Sequence, residues 1–171
     1  MPRPSVNPKP LSEDLRRNRL TDSLATFFVT KSLHPKKPVL DSSVREVVIS
    51  ALLFAVQHER IYLRTFVVMP DHWHAVLALR EQWTLPKFMH DMMSYVGAKT
   101  SGVLKLHETS WQDGYYDTRV KTAKQFAYVA HYIEQNPVAK GLVETADKWD
   151  ATSAGRQELI TDPWPWLFNE D

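Results

Sequence analysis

Apolar positions along the chain switch between two periods, and the switches divide it into elements. Thr26–Leu33 is a β-rich run and predicts a first strand, closed by the loop His34-Pro35-Lys36-Lys37-Pro38. Val44, Val47, Val48, Ala51, Leu52 and Ala55 then recur at helical spacing, and Ser43 with Glu46 reads as the capping box that opens this helix. Tyr62–Met69 predicts a second strand. Pro70-Asp71 turns it into a third strand, on which Trp73, Ala75, Leu77 and Leu79 form one apolar face. A helix beginning at Thr84 buries Leu85, Phe88, Met89, Met92, Met93 and Val96, with the methionines serving as core packing. Trp111–Val120 reads as a strand or edge segment. A last helix carries Phe126, Val129, Ala130 and Ile133 inward, opens with Thr122 and Gln125 as a capping box, and ends at Asn136-Pro137 and Gly141.

The order strand–helix–strand–strand–helix–strand–helix predicts an α+β fold: a two-layer sandwich, with an antiparallel sheet carrying its helices on one face. Residues 1–20 contain Pro2, Pro4, Pro8 and Pro10 without apolar periodicity and read as a flexible arm. Residues 21–157 form the domain and residues 158–171 a C-terminal tail. Within that tail, Trp164 and Trp166 alternate with Pro163 and Pro165, among acidic residues. The tail is expected either to fold over the active face and compete with a ligand, or to staple the terminus to the core.

Composition narrows the class. With 171 residues, 43% hydrophobic, the chain can bury a core as one domain. It has no cysteine, which excludes disulfides and thiolate metal sites. No apolar run is long enough for a membrane span and the first residues lack a signal-peptide core, so the expected location is the cytoplasm. The net charge of +1 excludes a uniformly basic surface. Charge is nonetheless uneven: Arg3, Lys9, Arg16, Arg17 and Arg19 weight the start, and Glu158, Asp162, Glu170 and Asp171 the end.

The chemistry concentrates in two places. His72 and His74 flank Trp73 on the third strand and therefore project from the face opposite Trp73. Two neutral imidazoles so placed can hold one divalent ion. On the last helix, Tyr128, Tyr132 and Asn136 follow one another at i, i+4 on one stripe. Tyr132 presents a phenol one turn from the carboxamide of Asn136, whose oxygen suits Mg²⁺ or Mn²⁺. Tyr128 is read as packing its ring on the core edge. Asp71 is read as a turn residue.

The segments VVMPDHWHAVLAL (67–79), WQDGYYDTRV (111–120) and YIEQNPVAKGLV (132–143), with Trp149 and Thr152-Ser153-Ala154 after them, resemble the REP-associated tyrosine transposases. These belong to the single-tyrosine HUH transposases of bacterial insertion sequences. The resemblance runs in order from about Phe27 to Ala154. It implies a ferredoxin-like HUH nuclease core, Tyr132 as nucleophile, and a Mg²⁺ or Mn²⁺ ion on His72, His74 and Asn136. It further implies cleavage and strand transfer of single-stranded or hairpin DNA through a 5′-phosphotyrosine, by a monomer or a homodimer. Lys99, Arg119 and Lys121 are candidates for phosphate contacts. Two other classes compete. A metal-dependent phosphohydrolase would leave no covalent DNA adduct. A non-catalytic DNA-binding protein would not need the intact set of four site residues.

Overall fold

The computed structural model describes residues 25–35, 37, 39–104 and 110–161. The expected arm (1–20) and most of the expected tail, including Trp164 and Trp166, lie outside the described residues. The elements are β1 (Thr26–Ser32), α1 (Ser42–Gln57), β2 (Ile61–Val68), β3 (His72–Leu79), α2 (Leu85–Leu104), β4 (Tyr116–Val120) and α3 (Ala123–Ala139). The strands pair in the order β2-β3-β1-β4, and every pairing is antiparallel. This is the α+β class and the element order that the hydrophobic pattern predicts, in a ferredoxin-like topology.

The helices divide between the two faces, where the pattern had placed them on one. Phe27 and Val29 of β1, Leu63, Phe66 and Val68 of β2, and Trp73, Ala75 and Leu77 of β3 pack with α1 and α2 in the main core. Val67, Met69 and Val76 face the other way and pack with Ile133, Val129 and Phe126 of α3. The reason lies in β2 and β3, which are apolar on both sides of the pleat and so need cover on both faces. A β-bulge between Leu63 and Thr65 shifts the register there.

Helix ends show which signals governed them. Asp41, not Ser43, caps α1: its Oδ1 accepts from Val44 N at 3.1 Å and from the Ser43 hydroxyl at 2.7 Å. A carboxylate two residues earlier outcompetes the hydroxyl because it accepts from both. At α3, Thr122 caps as expected, accepting from Gln125 N at 3.1 Å, while Gln125 Oε1 accepts from Lys121 N at 2.8 Å. The helix does not stop at Asn136-Pro137 but runs through Pro137 to Ala139. Chain reversal waits for Gly141, whose φ of +68° a side chain would disfavour.

Trp111–Val120 is strand only from Tyr116; Trp111 forms an isolated bridge with Leu33. The segment between them is pinned to the end of β1. Gln112 N donates to Ser32 O, and Gln112 Nε2 to Leu33 O. The buried ammonium of Lys31 donates to the carbonyls of Gln112 and Gly114. Residues 151–161 line the outer edge of β2, with Val68 N donating to Ala151 O, Ser153 N to Phe66 O and Thr161 N to Leu63 O. That cover removes an exposed edge strand.

Trp73 is fully buried between the sheet and its helices. Trp73→Ala is expected to destabilise the fold by about 3–5 kcal/mol, read as a lower urea midpoint. A loss below about 1 kcal/mol would contradict its place in the core.

Candidate active site

Register brings the candidate residues together. β3 starts at His72, so His72 and His74 fall on the face opposite Trp73. That is the face α3 packs against through β2 and β3. Tyr132 arrives from α3 with its ring centroid 5.6 Å from that of His74, and the His72 and His74 rings lie 4.5 Å apart. Phe28 of β1 completes the cluster, 5.3 Å from His74 and edge-on to Tyr132 at 6.2 Å. Two rings thus fix the phenol's approach to the imidazoles. Asn136 is buried one helical turn beyond Tyr132 on α3.

Both imidazoles are held through Nδ1. His72 Nδ1 donates to Asp71 Oδ1 at 2.6 Å. Asp71, read from sequence as a turn residue, therefore also orients a site histidine. His74 Nδ1 lies 2.7 Å from Thr30 Oγ1, the residue opposite it on β1. His74 Nε2 is buried and has no hydrogen-bond partner among the described residues.

Burial, and after it the neighbouring His72, drives the His74 pKa well below the ordinary 6.5. His74 is therefore neutral at physiological pH. Two imidazoles on one face, each engaged at Nδ1 and one with an orphaned buried Nε2, fit the donor set that a divalent cation requires. His72, His74 and the Asn136 carboxamide could hold such an ion; among the described residues, no three His, Cys, Asp or Glu side chains gather into a metal-binding group.

The His74 shift also has a stability consequence. Above about pH 6.5 His74 is neutral in both the folded and unfolded chain. Below it the unfolded chain takes up the proton first, so folding loses stability as pH falls through the window between the two pKa values. The metal-free protein, kept in chelator, is expected to show a Tm that falls as pH drops below about 6.5, with a shallower fall in His74→Gln. A Tm that stays level over that range would contradict the buried neutral state.

The other predicted residues scatter. Tyr128 does not pack on the core edge: it is 67% exposed, because the stripe leaves the sheet surface one turn before Tyr132. Lys99 sits on α2, in the layer covering the opposite face of the sheet, with its ammonium 5.7 Å from the Tyr95 ring. Arg119 pairs with Phe27, so its side chain also leaves from the α1–α2 face. Neither joins the histidines. Lys121 is exposed just before the cap of α3.

Sequence reasoning missed Phe28, Thr30 and Tyr116. Thr30 lies opposite both His74 and Tyr116 on its two neighbouring strands, so one row across the sheet reads Val67, His74, Thr30, Tyr116. Alternation along Thr26–Ser32 already placed Phe28 and Thr30 on a shared face. Only strand order and register reveal that this face is the histidines' own.

Among the described residues, no helix is long and apolar enough to cross a membrane. The family model described as "Transposase IS200 like" matches residues 26–136. The chain is 23% identical over 127 residues to the REP-associated tyrosine transposase of Escherichia coli (strain K12), a match spanning 72% of this chain and 73% of that one. The solved structure of a REP-associated tyrosine transposase bound to a REP hairpin superposes with a TM-score of 0.68 at 19% identity, covering 84% of this chain and 86% of that one. At that identity the likeness speaks for the fold. The matched segment begins with β1 and ends at Asn136, enclosing both histidines and Tyr132, and on it the chain belongs to the IS200-like transposase family.

Proposed function

We propose that this chain cleaves and rejoins single-stranded DNA, with Tyr132 as nucleophile and hairpin-forming repeats as substrate. The observation that carries the reading is the position of the Tyr132 ring, 5.6 Å from a neutral, Nδ1-anchored His74 whose Nε2 is unpaired among the described residues. The hairpin substrate rests on the similarity to a transposase solved with a REP hairpin.

A phosphodiester repels nucleophiles through its charged oxygens, and a free phenol, with a pKa near 10, is mostly protonated at neutral pH. His72, His74 and Asn136 would hold Mg²⁺ or Mn²⁺. Once bound, the ion supplies positive charge at a non-bridging oxygen of the scissile phosphate. The chain's own contribution is positional. Phe28 and the α3 backbone aim the phenol, and the Tyr132 ring is held against the cluster of Val67, Met69, Val76 and Ile133. The Tyr132 oxygen forms a bond to phosphorus as it gives up its proton; the bond to the 3′ oxygen breaks, and that oxygen takes up a proton. The products are a 5′-phosphotyrosine and a free 3′-hydroxyl. Because phosphorus trades one ester for another, the reaction can be run back by an incoming 3′-hydroxyl, which suits strand transfer.

Within one copy the Tyr132 ring already stands beside that of His74. This favours action as a monomer. The test is incubation of labelled single-stranded hairpin DNA with the protein and Mn²⁺. A denaturation-resistant protein–DNA adduct is expected. Cleavage to free ends with no adduct would favour the phosphohydrolase, and binding without cleavage the non-catalytic protein.

A further inference from the structure

Thr30 lies outside the set of groups assigned to the reaction, yet among the described residues it makes the one hydrogen bond to the His74 side chain. The two imidazoles differ in what their partners dictate. Asp71 offers a carboxylate, which when ionised only accepts, so the neutral form of His72 carries its proton on Nδ1 and keeps the Nε2 lone pair. Thr30 offers a hydroxyl, which can donate or accept, so either His74 tautomer could satisfy that contact. The tautomers are not equivalent at the other end of the ring. With the proton on Nε2, a buried N–H would be left without a partner among the described residues and could bind no cation. With the proton on Nδ1, that position presents a lone pair.

We infer that Thr30 is a positioning residue that fixes His74 as its Nδ1–H tautomer, by accepting from Nδ1 on Oγ1 and leaving the Nε2 lone pair free to bind a cation beside that of His72. Two histidines on adjacent outward positions of β3 are thus set to one tautomer by different means: a flanking carboxylate for His72 and a cross-strand hydroxyl for His74. Register makes the second device available, since Thr30 and His74 are directly paired on β1 and β3, with side chains on one face of the sheet. The inference rests on the proposed function for its purpose, but the tautomer itself can be read without DNA or metal.

The experiment uses ¹⁵N-labelled full-length protein, first in chelator and then titrated with Mn²⁺. Long-range ¹H–¹⁵N spectra at pH 7.5 are expected to show His74 protonated on Nδ1 in the wild type and in Thr30→Ser, which keeps the hydroxyl. Thr30→Val, close in shape and suited to a strand, is expected to shift His74 toward the Nε2–H form and to weaken Mn²⁺ binding by about 10–100-fold, the range for losing a residue that orients a metal ligand. Rescue by serine separates the hydroxyl from mere packing. An Nε2–H tautomer in the wild type would overturn the inference, as would an unchanged Nδ1–H tautomer in Thr30→Val. An Nδ1–H wild type that shifts in Thr30→Val but never binds Mn²⁺ would uphold the tautomer assignment while removing the metal from the proposed function.

Discussion

Tyr132→Phe is expected to fold as the wild type does, to bind hairpin DNA, and to form no covalent adduct. The ring is the part of Tyr132 that the structure uses for packing: it meets Phe28 edge-on and stands beside His74, and phenylalanine keeps both contacts. The hydroxyl belongs to a half-buried side chain, so its removal should change stability by no more than about 1 kcal/mol. Adduct formation should fall by about 10⁴-fold or more, the scale on which removing a covalent nucleophile acts. Tyr128→Phe is the matched control. It is one turn earlier on the same stripe and largely exposed, and it should react as the wild type does. Adduct formed by Tyr132→Phe but not by Tyr128→Phe would move the nucleophile one helical turn along α3.

His74→Ala should abolish cleavage and leave DNA binding in place. It removes the orphaned Nε2 that makes the site suited to a cation, and with it several kcal/mol of charge stabilisation at the phosphate, or about 10³-fold or more in rate. The effect should be matched by treating the wild type with excess EDTA and reversed in the wild type, but not the variant, by added Mn²⁺. Because His74 is buried, truncation also opens a small cavity, so the variant's Tm belongs beside its activity. Cleavage at the wild-type rate in EDTA would remove the metal from the account.

How much of this was legible in the chain differs by element. The His72–Leu79 strand and the Tyr132 helix were readable because each keeps one period, and their motifs come in order. The placement of α3 was not. Val67, Met69 and Val76 look like ordinary residues in apolar runs, and only register shows that they form a second core under α3. The placement of Lys99 and Arg119 away from the histidines was hidden for the same reason: charge is visible in a sequence, but the face from which it leaves is not. Asp41 displaced the expected Ser43 cap because a carboxylate just upstream could accept from both neighbours. Thr30 carried no signal of its own. A threonine in a strand is unremarkable until the strand opposite proves to carry a histidine at the paired position.

The central claim is that Tyr132 becomes joined to DNA. Trypsin digestion of the purified adduct should release the peptide spanning 125–140, which contains both Tyr128 and Tyr132, carrying the added mass of a nucleotide 5′-phosphate. Fragmentation of that peptide is expected to place the mass on Tyr132. The mass on Tyr128, or on any residue outside that peptide, would contradict the assignment.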